Sequence, residues 1–410
     1  VQTPQHEFAT ASAEQTSWNS AKDILLSIEE MIEAFKLGLL RWIHEYFSGL
    51  SIQFIALELD NFINRETSVQ IRSKAPLRIG FAGGGTDISP YSDEFGGAIL
   101  NATISLSAHV YIKPRTDKRI IIESVEYNER EEFDNLRELP TAGKLALAKG
   151  VYNRIVKQFA KEALGFELVS YVDAPAGSGL GTSSTLVVAL IGAFAEWLNL
   201  PLGEYDIAQL AYDIERVDLG LAGGKQDQYA ATFGGVNFME FHKDKVIVNP
   251  LRVRKDVLNE LESTLILYFT STTRESAKLI DEQSKNVRTH VQSSMDAAHE
   301  LKKQAFQMKE AILLKDLASI GRILDFGWQQ KKKLSGGVTT AHMDQLYTAA
   351  TAAGAKGGKV TGAGGGGFMV FYCPEASRYN VIRALKEFGG EVRPFQFTEL
   401  GLTTWKTQGQ

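Results

Sequence analysis

The order of apolar and polar positions gives the chain two textures. Over residues 20–48, the apolar side chains Ile24, Leu25, Ile28, Met31, Ile32, Phe35 and Leu39 recur close to the i, i+3, i+4, i+7 spacing of an amphipathic helix. From Ser73 onward, short β-type runs take over at 77–81, 106–113 and 119–123, parted by glycine clusters and polar loops. Residues 186–198 and 205–217 predict helices, the second with Ile207, Leu210, Ala211, Ile214 and Val217 on one face. Residues 236–241 and 246–248 predict a hairpin, and 265–270 a strand. Long helical patterns follow at 289–314, 317–334 and 342–353, and 368–373 predicts a further strand.

Strands and helices grouped without a regular alternation predict an α+β fold rather than a doubly wound parallel sheet. The changes of texture mark three segments: a helical extension over residues 1–70, one domain over 71–244 and a second over 245–410. The apolar face of the extension must be covered, on the rest of the chain or on another subunit of a homo-oligomer.

Composition narrows the function. With 44 Lys plus Arg against 49 Asp plus Glu, the net charge is −5, so there is no basic excess to wrap nucleic acid. Cys373 is the single cysteine, which excludes an intrachain disulfide framework and fits a reducing, cytoplasmic setting. The start carries no basic segment followed by an apolar one, and residues 37–59 are broken by Arg41, His44, Glu45 and Glu58. Neither a secretory signal nor a membrane span is predicted. Glycine is high at 37 residues and proline low at 10, so much of the glycine serves close backbone approach rather than turns alone.

Three stretches hold that glycine. Pro175-Ala-Gly-Ser-Gly-Leu-Gly-Thr-Ser-Ser-Thr185 precedes the apolar helix at 186–198. Its alternating glycines admit a ligand to the main chain, and a helix N-terminus offers unpaired N–H groups and a positive dipole end, which together make a phosphate cradle. A plain Ser/Thr helix cap would need far less. Thr361-Gly-Ala-Gly-Gly-Gly-Gly367 fits G-x-G-x-x-G by letter, yet it leads into a strand, which disfavours a dinucleotide site. In the earliest stretch a strand runs into Gly83-Gly-Gly-Thr-Asp87, where Asp87 is a carboxylate suited to sugar hydroxyls. The Gly-Lys pairs at 143–144, 224–225 and 358–359 do not continue into Ser or Thr, so there is no Walker A loop.

In this order the stretches resemble the motifs of the GHMP kinase superfamily, over residues 72 to 405. Residues 175–185 are similar to that family's P-x-x-x-G-L-G-S-S-A nucleotide loop, with Thr182 for the first Ser and Thr185 for the Ala. The resemblance implies two domains, ATP and Mg²⁺, and a nucleotide site at Pro175, Gly177, Ser178, Gly179, Leu180, Gly181, Thr182, Ser183 and Ser184. It also implies catalytic roles for Asp227, as base, and Arg78, and a magnesium site at Ser184 and Glu215. Gly84, Gly85, Thr86, Asp87, Gly224, Gly364 and Gly365 fall at its substrate positions. Magnesium prefers hard oxygen and takes few protein ligands, which agrees with so small a set.

The substrate expectation follows from Gly84 and Gly85, which stand where galactokinases carry Glu-His. The run 77–104 resembles the bacterial D-glycero-D-manno-heptose 7-phosphate kinases of the superfamily and, next to them, the kinase half of fucokinases. That implies phosphorylation of an anomeric C1 hydroxyl of a sugar or sugar phosphate. L-fucose stands as the alternative acceptor, and a non-catalytic sugar- or nucleotide-binding regulator as the alternative of another class. A 7-phosphate needs cations in the sugar pocket: Arg274 is one candidate, and Lys331 to Lys333 supply others.

Overall fold

The computed structural model describes residues 69–272 and 276–408. The expected extension up to residue 68, and Arg274, lie outside the described residues. The strand β1 (Val69–Ala82) leads through a short helix α1 (Tyr91–Phe95) to the long β2 (Gly97–Pro114), then β3 (Arg119–Ser124) and β4 (Glu129–Asp134). After α2 (Ala146–Ile155), β5 (Phe166–Val172) leads to α3 (Thr182–Leu198), α4 (Glu204–Asp213) and α5 (Gln226–Phe233). The hairpin β6 (Val236–Phe241) and β7 (Val246–Pro250) precedes α6 (Lys255–Thr264) and β8 (Leu265–Phe269). Then come α7 (Ser276–Arg288), α8 (Gln292–Leu313), α9 (Leu317–Lys331) and α10 (Ala341–Ala352). The chain continues with β9 (Gly357–Val360), β10 (Phe368–Tyr372), α11 (Ser377–Lys386), β11 (Glu391–Arg393) and β12 (Thr403–Gln408).

Two sheets organise these elements. The larger runs β12-β1-β2-β5-β3-β4, with β6 on β2 and β7 on β6; the smaller is β11-β8-β10-β9. Only β3 and β5 pair in parallel among the described strands, and the rest are antiparallel. This is the α+β arrangement that the grouping of elements predicts. The β6–β7 hairpin, which spans the transition near 245, lies in the larger sheet, and β12 returns from the C-terminal end to pair with β1.

Helix α3 shows why an apolar run can be a helix. Its residues from Leu186 to Phe194 are all buried, packed in one core with Ile112 and Ile122 from the large sheet and with Val151 and Ile155 from α2. A helix apolar all round is stable only when covered on every side. Its N-terminus therefore has a fixed position and direction. A second core joins Leu77 and Ile79 of β1 to Leu265 and Leu267 of β8 and to Ile320 and Leu324 of α9. β1 thus contributes to both cores, and a register shift between Pro76 and Arg78 sits where Arg78 emerges.

Candidate active site

Arg78 is the point where the three glycine stretches meet. It is 3% exposed, and its Nε donates to Asp227 Oδ1 at 2.7 Å while Nη2 lies 2.7 Å from the same oxygen. Its Nη1 donates to the carbonyls of Gly179 (2.6 Å) and Thr361 (3.1 Å). One guanidinium thus ties the first stretch to the second, the third and the acid. Only Arg, with five donors in a planar fork, can do this.

Asp227 stands in the first turn of α5, a helix missed by the sequence reading because Gly223-Gly-Lys-Gln reads as a turn. Asp87 fixes that helix: its Oδ2 accepts from the Gln226 backbone N–H at 3.1 Å, capping α5 from another part of the chain. Burial pushes the Asp87 carboxyl up from its ordinary range, and the like charge of Asp227 adds to this. A Cβ on Gly224 would lie 1.8 Å from Asp87 Oδ2, so only glycine permits the contact.

The loop expected to cradle phosphate leads into the start of α3. Gly177, Gly179, Gly181, Thr182, Ser183 and Ser184 line one cavity, with Glu215, Arg216, Asp227 and Gly223 opposite. Pro175, Ser178 and Leu180 do not line it. The Pro175 carbonyl closes a turn with Ser178 N–H, the Ser178 carbonyl accepts from Phe368 N–H, and Leu180 packs in the core while its carbonyl takes the Arg78 N–H. These three shape the loop from behind. Gly181 has φ +79°, and a Cβ there would sit 3.2 Å from Asp227 Oδ2.

Glu215 is 1% exposed and lies in a π-helical turn, Ile214–Asp218, that ends the predicted helix 205–217. Gln228 Nε2 donates to both Glu215 Oε2 (2.6 Å) and Ser184 Oγ (3.1 Å), which draws the two oxygens together. Burial raises the Glu215 carboxyl above its ordinary range, opposed by Arg216, whose Nη1 is 3.7 Å away. Arg216 is a cation of the cradle that the sequence reading did not single out.

A second cavity shares the wall made by Arg78, Asp227, Gly224, Gly362 and Ala363. Gly84, Gly85, Asp87, Gln283, Lys331 and Lys359 are among its other lining residues. Three expected substrate positions turn away from it. The Thr86 hydroxyl donates to the Gly83 and Ala98 carbonyls (2.8 and 3.0 Å), so it serves the turn into β2. Gly364 packs on the Val338 backbone, and Gly365 N–H bonds the Val338 carbonyl at 2.8 Å. Of the Lys triplet only Lys331 enters the cavity; Lys332 lies over the Trp328 ring and Lys333 is exposed.

A glycine-rich loop at a helix N-terminus, joined across one carboxylate–guanidinium pair to a small polar cavity, is the arrangement expected of a phosphotransferase with a hydroxyl acceptor. The GHMP kinases N terminal domain model matches residues 146–235, and the GHMP kinases C terminal model matches 308–391. A D-glycero-alpha-D-manno-heptose 7-phosphate kinase of Campylobacter jejuni is 50% identical over 337 residues, 82% of this chain and 99% of the relative. The L-fucokinase/L-fucose-1-P guanylyltransferase of Bacteroides fragilis is 29% identical over 78% of this chain and 37% of its own length. A solved structure described as a D-glycero-D-manno-heptose 1-phosphate kinase from Bacteroides thetaiotaomicron has TM-score 0.72 and 45% identity, covering 83% of this chain and 100% of that one. Lactococcus lactis galactokinase, at TM-score 0.66 and 21% identity over 85% of this chain and 99% of its own, shares the fold. The chain belongs to the GHMP kinase family and is an ATP-dependent sugar kinase.

Proposed function

We propose that this kinase transfers the γ-phosphoryl group of ATP to the anomeric C1 hydroxyl of D-glycero-D-manno-heptose 7-phosphate, giving the 1,7-bisphosphate and ADP for GDP-heptose and surface glycan synthesis. The observation that carries the reading is the shared wall of the two cavities: Asp227 and Arg78 stand between the phosphate cradle and the acceptor cavity. The choice of sugar is supported by the 50% identity to the Campylobacter enzyme. The two heptose-kinase relatives are named for different phosphate positions, so product analysis must assign the position in this protein.

In this reading the C1 oxygen bonds to the γ-phosphorus as the bond to the β–γ bridging oxygen breaks. Asp227 Oδ2 takes the hydroxyl proton, while Arg78 holds Oδ1 and stabilises charge on the transferred group. Positioning supplies most of the rate, because phosphoryl transfer asks little covalent chemistry of the protein. Ser184 Oγ and Glu215 Oε2, drawn together by Gln228, are hard oxygens suited to Mg²⁺. Bound there, the ion would neutralise charge on the β- and γ-phosphates. The lone Cys373, buried in a core, supports a reducing cytoplasmic setting.

The test is a panel of heptose 7-phosphate, L-fucose and galactose, each with and without Mg²⁺, with the new phosphate located by NMR. Turnover of heptose 7-phosphate to a C1 phosphate supports the reading. Preferred turnover of fucose replaces the acceptor, and ATP binding with no turnover on any sugar returns the regulator reading.

A further inference from the structure

Lys359 is unused by the chemistry above, and it entered the sequence reading only as a Gly-Lys pair without a Walker continuation. It is 3% exposed on β9, and its Nζ donates to the Gly80 and Val360 carbonyls, each at 2.7 Å. It makes no ion pair among the described residues. Lys331, 4% exposed at the end of α9, gives its Nζ to the Gly84 carbonyl at 3.3 Å and likewise has no carboxylate within ion-pair distance. Both line the acceptor cavity, and neither lines the phosphate cradle.

The charges of that cavity do not balance. Arg78, Lys331 and Lys359 face two carboxylates, Asp87 and Asp227, and Arg78 already pairs with Asp227. Asp87 attracts Lys331 without touching it and spends one oxygen on the Gln226 N–H. Lys359 is left with backbone carbonyls only. A buried ammonium without a counter-charge is costly, and natural proteins keep such groups where a ligand completes the pair. The titration of both groups agrees: burial lowers Lys331 to about 8, and burial joined by the charges of Lys331 and Arg78 holds Lys359 well below its ordinary value.

We propose that Lys331 and Lys359 form the receptor for the phosphate the sugar already carries, and so select phosphorylated over unphosphorylated acceptors. The inference rests on the reading of the acceptor as a sugar phosphate. A tetrahedral dianion between two ammonium groups gains charge-assisted hydrogen bonds that a free hydroxymethyl group does not. Lys is suited to this task as a compact point charge with three donors. The two phosphates of the reaction then meet different residues, because Lys331 and Lys359 line the acceptor cavity and not the glycine-loop cavity.

The experiment compares wild type, Lys331→Gln, Lys359→Gln and Lys359→Arg with heptose 7-phosphate and with the same heptose lacking its phosphate. We expect either Gln variant to raise KM for the phosphosugar about 10- to 100-fold, roughly the loss of one hydrogen bond to a charged group. KM for ATP and turnover of the plain heptose should hold, and Lys359→Arg should recover part of the loss. Equal loss on both sugars would mark the lysines as structural, and a raised KM for ATP would assign them to the incoming phosphoryl group; either overturns the proposal. A variant that does not fold is replaced by titrating wild type with sugar phosphates and inorganic phosphate at two ionic strengths. Competition by phosphate against the sugar, and not against ATP, is then the expected result, and its absence overturns the proposal. Wild type that ignores heptose 7-phosphate but phosphorylates a neutral sugar would refute the assigned substrate, an outcome distinct from equal losses in the variants.

Discussion

Asp227 offers its two oxygens to different tasks: Oδ1 receives both Nε and Nη2 of Arg78 at 2.7 Å, while Oδ2 has no hydrogen-bond partner among the described residues. In the proposed reaction the guanidinium fixes the carboxylate's orientation through Oδ1, which leaves Oδ2 to accept the acceptor hydroxyl's hydrogen bond and its proton as the phosphorus–oxygen bond forms.

Asp227→Asn tests that division. The amide oxygen can still face Arg78, so ATP affinity measured by calorimetry should be retained. The rate of sugar phosphorylation should fall about 10²- to 10⁴-fold, the usual worth of a positioned base. Retained turnover would move the base elsewhere.

Gly181→Ala should damage the rate more than the fold. The position has φ +79°, which costs an alanine about 1–2 kcal/mol. Its methyl would also press on the Asp227 carboxylate, 3.1 Å from Cγ. Gly220, at φ +64° with nothing within 4 Å, is the control. Thermal melts should show similar losses for the two alanine variants, and only Gly181→Ala should lower kcat.

Glu215→Gln should raise the Mg²⁺ concentration needed for half-maximal rate by about tenfold or more, read by titrating Mg²⁺ at saturating ATP. Its effect on stability has the opposite sense. Burial holds the folded Glu215 pKa above its unfolded value, so the ionised carboxylate opposes folding at neutral pH. The glutamine variant should therefore melt no lower than wild type at pH 7. The wild type should gain on it as pH falls through the folded pKa.

The acceptor site carries its own pH dependence. Lys331 faces Asp87 and Arg78 from the β1 side, Lys359 from β9 and Asp227 from α5, with a pKa lowered to about 8. It is charged below that value and neutral above it. KM for the phosphorylated sugar should therefore rise as pH climbs through 8 to 9, while KM for the unphosphorylated sugar stays flat. Parallel profiles for both sugars would contradict a phosphate receptor containing Lys331.

Periodicity and glycine placement revealed much of this in the sequence. The apolar run at 186–198 predicts α3 and sets the hydroxyl-rich loop at its N-terminus, because a buried helix leaves a plain compositional mark. The start of β2 at Gly97, nine residues before its expected run, was obscured because its early residues mix Asn101, Thr103 and alanine. Those side chains are buried on both faces, so no alternation marks the strand. Thr86, Gly364 and Gly365 illustrate another limit: a motif fixes which residues are present, while hydrogen bonding decides which of them face the ligand. Lys359 was hidden for a related reason, since a lysine between glycines and valine carries no sign that the sheet will bury it.

The pairing of β12 with β1 also bears on the order of events during synthesis. The strand that carries Arg78 is made before every other described strand, yet the edge that β12 covers is completed only when residues 403–408 have left the ribosome. Until then its backbone donors and acceptors can recruit a neighbouring chain as readily as their own partner. A nascent chain stalled before β12 would thus expose an unsatisfied strand. The formation of β12, rather than the making of any single motif, is the step that closes this edge of β1.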